Sequence, residues 1–442
     1  MTRAKESILT VLFVFVLGFV FGQPFNVHKG YNLGFPAHTP TQDLTFDDGY
    51  VTTGWYFPNA INGFANTYER MHLVKLDSTK NKTWANVYVY QSEIQNGVLD
   101  VEMKAHDVKE LPNNDFIVAG QVIETNPQTN QRDAFAFLMK TDQYGNVIWF
   151  TKYFKNGVLN SVIETQNNGY LACGYMKGTN GETARLLRVR PNGVPYWLRR
   201  LNPIANYSGE SAFREVAYHS NKKYVVVGNC NTKFINCGAE ASDVLYAVVD
   251  ETPGIGPANV NVWHYGQTVN NNGFHVAEFG NTIGVSPTGA IAIGGHTNYM
   301  DKPNCLSQEE SLMLTVDLAG NIINAREYNA DFKEMGRDII YNSTNTEIAM
   351  VGISGPDAYI LITDLNLNYS LMEKFNPSTP TIGTCLEENK HGNYTFMGNS
   401  DVLGYGMHDI YQVEQLRVPK DTCHDSGIWR RLSPGQQGRF SV

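Results

Sequence analysis

The chain has 442 residues, and 34 Lys and Arg against 43 Asp and Glu leave a formal charge of −9. That balance argues against a nucleic-acid partner, whose phosphates need a basic surface. Only 17% of residues are charged, while 40 Gly, 24 Tyr and 22 Phe are present, a globular, β-leaning composition that is neither disordered nor coiled-coil. The length suits two or three ordinary domains or one large repeat architecture.

The chain opens with a targeting pattern. Arg3 and Lys5 form a basic start, Ile8 to Phe21 is an apolar run, and Gly22-Gln23-Pro24 returns to polar sequence. A run of this size falls short of the roughly 20 residues of a membrane-spanning helix and reads as a secretory signal peptide over residues 1–23. No later stretch is apolar enough to span a bilayer. The mature chain is therefore expected to be secreted, extracellular and without a membrane span.

Beyond the leader, one phrase recurs seven times: a short apolar run that ends in glycine. It reads Tyr50-Val51-Thr52-Thr53-Gly54, Phe116-Ile117-Val118-Ala119-Gly120, Tyr170-Leu171-Ala172-Cys173-Gly174 and Tyr224-Val225-Val226-Val227-Gly228. It continues as Ala290-Ile291-Ala292-Ile293-Gly294, Ile348-Ala349-Met350-Val351-Gly352 and Tyr394-Thr395-Phe396-Met397-Gly398. The closing glycines lie 46 to 66 residues apart, the length of a propeller blade with variable loops.

After each such run comes a second strand that ends in an acidic turn, as in Leu73-Val74-Lys75-Leu76-Asp77 and Leu138-Met139-Lys140-Thr141-Asp142. Gly145-Asn146 and Gly320-Asn321 then supply the positive φ of a tight hairpin. Trp84, Trp149 and Trp197 follow at a common spacing, with Trp263 in a looser equivalent place. Packing between neighbouring blades explains such a ring better than an aromatic ligand cage.

Before each glycine-ended run sits a polar pair that marks the innermost strand. The pairs are Gln42-Asp43, His106-Asp107, Asn160-Ser161, Arg214-Glu215, Asn281-Thr282, Arg337-Asp338 and Gly383-Thr384. Seven equivalent modules predict an all-β fold, a seven-bladed β-propeller over residues 24–427, with a C-terminal tail at 428–442. In that fold Asp43, Asp107, Glu215 and Asp338 form a ring at the channel mouth with Ser161, Thr282 and Thr384. These oxygen donors are either a site for a hard cation such as Ca²⁺ or caps on strand-end amides. Arg214 and Arg337 beside the ring oppose a cation, or instead pair with the acids.

Six cysteines in an oxidising compartment suggest disulfides. Cys230 with Cys237 closes a short loop, and Cys385 with Cys423 pins the C-terminal region; other pairings of the six, with Cys173 and Cys305, stay open. Asn81, Asn206, Asn342, Asn368 and Asn393 each begin a glycosylation sequon. The tail from Gly427 matches no blade strand, combines Trp429, Leu432 and Phe440 with Arg430, Arg431 and Arg439, and either docks on an identical subunit or folds back on its own last blade.

The pattern G-Y-x-x-x-G … D-x-x-L-x-K-x-D-x-x-G-N-x-x-W, best seen from Arg132 to Trp149, resembles the repeats of secreted and cell-surface propeller proteins of Gram-negative bacteria. The resemblance covers nearly the whole mature chain and implies fold and location rather than chemistry. The Asp-x-x-Gly…Trp phrase also resembles quinoprotein dehydrogenase blades, but three repeats lack the Trp and no Cys-Cys pair is present. No G-x-S-x-G, H-E-x-x-H or Walker loop occurs. The expected function is a non-enzymatic binding or adhesion propeller at the cell surface, its partner a protein or glycan. The alternatives are a structural subunit that self-assembles into filaments or a surface layer, and a quinoprotein-like or glycan-active propeller enzyme.

Overall fold

The computed structural model describes residues 26–31, 37–56, 69–79, 81–88, 100–126, 128–179, 181–201, 210–234, 240–251, 259–266, 275–300, 307–329, 333–375, 381–400 and 409–415. The expected signal peptide, Asn206, Cys237, Cys305, Cys423 and the tail at 428–442 lie outside the described residues. Two compact units are formed by residues 28–414 and by the chain ends, 1–27 with 415–442. The second is described only at Asn26, Val27 and Gln415.

All described elements are strands in four-stranded sheets, and adjacent strands within blades 1 to 6 pair antiparallel. Blades 1 to 6 occupy residues 37–88, 100–155, 157–200, 211–265, 275–328 and 334–375, and each uses four strands consecutive in the chain. The first strand of each is innermost: Ala37–Leu44, Asp100–Glu110, Gly157–Glu164, Ser211–Ser220, His275–Val285 and Glu334–Tyr341. The expected count of seven equivalent blades is corrected by this topology, which gives six blades, not seven, of continuous chain. Among the described residues the last repeat supplies three strands, Thr381–Glu388, Tyr394–Ser400 and Asp409–Gln415. Their sheet takes its fourth, outermost strand, Asn26–Tyr31, from the other end of the sequence. The physical reason is that Asn26–Tyr31, paired on Asp409–Gln415, covers the sheet edge that three strands would leave open.

The apolar cores lie between sheets rather than within them. Leu171, Cys173, Leu186 and Ala184 of blade 3, for example, interlock with Phe213, Val226, Leu245 and Ala247 of blade 4. The composite sheet is held in the same way, with Phe396 and Leu386 against Ile360 and Val351 of blade 6. On its other side Met397 and Cys385 meet Tyr50, Val74 and Leu76 of blade 1. Among the described residues no helix is long and apolar enough to cross a membrane.

The recurring glycine has a steric cause. Each inner strand carries a register shift, at His106, Asn160, Arg214, Asn281, Arg337 and Thr384 in turn. The extra residue bends the inner strand onto its neighbour. A Cβ at Gly174 would lie 2.0 Å from the Val158 carbonyl oxygen, and at Gly295 1.7 Å from that of Phe279. The structural equivalent in blade 5 is thus Gly295, one residue past the Gly294 of the sequence pattern. Gly174→Ala is expected to destabilise the fold by about 1–3 kcal/mol, the range for overpacked interiors. A urea unfolding midpoint unchanged from wild type would contradict this account.

The acidic turns are also explained. Oδ1 of Asp142 accepts from the amides of Tyr144 and Asn146, and its Oδ2 accepts from the Asn146 side chain at 2.8 Å. Asp317 and Asp364 repeat the arrangement with Asn321 and Asn368. Trp149 packs on the corresponding turn of blade 3, donating from Nε1 to the Pro191 carbonyl at 3.1 Å, and Trp84 and Trp263 pack on Gly145 and Gly320. These tryptophans therefore stitch blade 1 to blade 2, blade 2 to blade 3 and blade 4 to blade 5, as expected of a packing role.

Candidate ligand site in the axial channel

The bulge does more than crowd a glycine. Two successive side chains at a bulge can share one side of the strand, so His106 and Asp107, Asn160 and Ser161, Arg214 and Glu215, and Arg337 and Asp338 all line one central cavity. Its volume is about 590 Å³. Lys109 and Glu387 lie further along their inner strands and also line it.

The acids act chiefly as latches between neighbouring sheets. Asp107 Oδ2 accepts the Ser161 hydroxyl at 2.8 Å and the Val162 amide at 2.9 Å. Ser161 Oγ accepts the Val216 amide, Glu215 Oε2 the Ile283 amide, Thr282 Oγ1 the Ile339 amide and Asp338 Oδ2 the Leu386 amide. From blade 2 to blade 6, each inner strand thus accepts one amide from the next.

The register refines the sequence alignment at its two ends. Asp107 pairs with Ala119 and Ser161 with Cys173, each just before the closing glycine. The residues in that position are Thr41 in blade 1, opposite Thr53, and Cys385 in the composite sheet, opposite Met397. Asp43 sits two residues past Thr41, and Thr384 is the bulged residue. Asp43 therefore shares a level with Lys109: its Oδ1 is 3.4 Å from Lys109 Nζ, and its Oδ2 accepts the Glu110 amide at 2.7 Å. Asp43, Asp107, Glu215 and Asp338 all belong to inner strands, but on two levels.

Enclosure and mutual repulsion shape the charges. Burial, then Asp338, pushes the Glu215 carboxyl up to about 8; burial, then Asp43, does the same for Glu387. Burial raises Asp338 to about 6 and also raises Asp43 and Asp107. Enclosure alone would lower the Lys109 ammonium, yet Asp43, Asp107, Glu387 and Glu215 hold it well above its usual value. Among the described residues no three His, Cys, Asp or Glu side chains converge as metal ligands. The chemistry on display is a lysine set among carboxylates that grip backbone amides.

The opposite charge gathers at the bulges. Arg214 and Arg337 are exposed into the cavity, and among the described residues neither is paired with a carboxylate. Their electrostatic neighbours include Tyr175, Glu182, Tyr359 and Glu309, which lie toward the end where second strands lead into third strands. The inserts at 57–68, 235–239 and 301–306, outside the described residues, connect strands at that end. At the equivalent positions Asn160 and Asn281 donate to the carbonyls of Phe213 and Gly336.

Of the expected disulfide partners, Cys230 and Cys385 are buried free thiols, as is Cys173; burial pushes Cys230 up to about 12. Cys237 and Cys423 lie outside the described residues. Among the sequons, Asn81 and Asn368 are exposed in acidic turns and Asn393 is half-buried. Asn342 is fully buried, donating to the hydroxyls of Thr344 and Thr346 at 2.9 Å.

The sheets and the channel define a β-propeller. No protein-family profile matches the chain, and no curated protein matches its sequence. Among solved structures, the Dos1 propeller is similar at 9% identity and TM-score 0.47, over 88% of this chain and 94% of that one. Sqt1 from Chaetomium thermophilum is similar at 11% identity and TM-score 0.44, over 86% of each chain. The NanB sialidase from Streptococcus pneumoniae is similar at 7% identity and TM-score 0.44, over 91% of this chain and 72% of that one.

Proposed function

We propose that this chain is an extracellular binding propeller that takes its ligand at the arginine end of the axial channel. The observation that carries the reading is the contrast within one cavity. The channel acids are committed to backbone amides or to Lys109, whereas Arg214 and Arg337 reach the cavity with no acidic partner among the described residues. Uncommitted guanidiniums in a concave site are ready to bind, and loops on a rigid scaffold commonly complete such sites. The apolar leader supports an extracellular setting, and the absence of a recognisable catalytic motif supports binding over turnover.

The test is an array of surface glycans and proteins probed with the purified chain and with an Arg214→Glu/Arg337→Glu variant. Wild type is expected to retain a ligand that the variant releases. No retained ligand, or equal retention by both, would sink the reading.

A further inference from the structure

Three polar groups converge at this end of the channel, and their chemistry narrows the ligand. Arg214 and Arg337 are the first two. The third is His296, which stacks on Phe279 with ring centroids 4.5 Å apart and planes at 8°. Asn281 spans the gap: its side-chain amide nitrogen donates to the Gly336 carbonyl at 2.9 Å and lies 3.3 Å from His296 Nδ1. An amide nitrogen can only donate, so Nδ1 is the acceptor and the imidazole proton sits on Nε2. Burial, then Arg337, pushes the His296 ring down to about 4, so the ring is neutral and Nε2–H is an uncharged donor with no partner among the described residues.

Resting on the binding reading above, we infer that this end of the channel holds the carboxylate of an acidic sugar. Arg337 and Arg214 grip the carboxylate, and His296 Nε2–H donates to the ring. A guanidinium fork matches a planar carboxylate in two parallel hydrogen bonds. One residue deeper lie the carboxyls of Glu215 and Asp338; Glu215, raised to about 8, is largely protonated at neutral pH, but Asp338, at about 6, is charged, so a phosphate dianion meets twice the repulsion there that a monoanion meets. Arg337 is held below its usual value by enclosure and then by the like charge of Arg214, a repulsion that a bound anion relieves. Half-buried rings back these donors, Phe279 under His296 and Trp55 against His106 with centroids 5.7 Å apart, and a sugar ring held at His296 stacks against this aromatic surface.

Calorimetric titration with glucuronate, glucose and glucose 6-phosphate tests this. Glucuronate is expected to bind at least tenfold more tightly than either of the others. Arg337→Met and Arg214→Met should each weaken glucuronate about tenfold or more, with the unfolding midpoint unchanged because both side chains are exposed. His296→Gln, which keeps a neutral donor, should retain more affinity than His296→Phe. Glucuronate binding that survives both arginine substitutions, or phosphate binding as tight as glucuronate, overturns the inference. Failure of glucuronate alongside a neutral ligand on the array defeats the acidic-sugar assignment and leaves the binding reading intact. Failure of every ligand defeats both.

Discussion

Lys109→Met is expected to be among the most damaging single substitutions in the channel, and its cost should depend on pH. The lysine stands among Asp43, Asp107, Glu215 and Glu387, with Asp338 also within its electrostatic reach. Removing one partner from a buried charged set costs about 3–5 kcal/mol; Lys109 keeps 30% of its side chain exposed, which places the effect near the lower end. Glu215 and Glu387 are raised to about 8 and Asp338 to about 6. For acids raised in the folded state, the folded form binds more protons than the unfolded form between the two values. Their contribution is full below the ordinary carboxylate range and is lost as pH rises through about 6 to 8. The variant should therefore be strongly destabilised at pH 8 and approach wild type at pH 5, where these carboxyls are protonated. Equal losses in urea melts at both pH values would show that Lys109 does not act through the acids.

A second large effect is expected outside the channel. Arg188 of blade 3 and Glu251 of blade 4 form an ion pair with Nε 2.7 Å from Oε1, and their side chains are only 7% and 9% exposed. Arg188 also donates to the Val189 carbonyl and lies against Gly169. Glu251→Ala leaves a buried guanidinium without its acid and should cost about 3–5 kcal/mol, whereas an Arg188→Met/Glu251→Leu pair should recover most of that loss. Chemical denaturation of the two variants decides the matter. A double variant no more stable than Glu251→Ala would mean that packing by the arginine stem, rather than its charge, holds this junction.

The sequence carried the β-propeller plan because two of its devices use residues that little else can replace. The crowded bulge demands glycine at Gly174 and its equivalents, and the acidic turn demands an Asp and Asn four residues apart. The first and last repeats were misaligned because their registers bear no such mark. Thr41 follows Pro40 in a shift that lies between His38 and Thr41, and Cys385 has no polar signature. Lys109 carries no mark of its own in the repeat, although it, Asp43 and Glu387 put charges at a level where the other blades place Ile163, Ala217, Gly284 and Ile340. In the sequence Arg214 and Arg337 read as opponents of a cation or as partners of the ring acids, and no such ion pair is present among the described residues. Their significance depends on the bulge turning two neighbouring side chains toward one cavity, and on whether acids pair with them.

The composite sheet imposes an order of events on biosynthesis. Its outer strand, Asn26–Tyr31, emerges from the ribosome early, but Asp409–Gln415, the strand it pairs with, is made only near the end. Blades 1 to 6 have all their strands available as they are translated, and domains tend to fold from the N-terminus as they appear. The first-made segment must meanwhile wait with its backbone groups unpaired, an open invitation to other strands. A chain exported through a membrane would prolong that wait. Protection of this segment until the last strand arrives is thus a requirement placed on the cell by the topology, and a stalled or truncated chain would expose it for as long as it persisted.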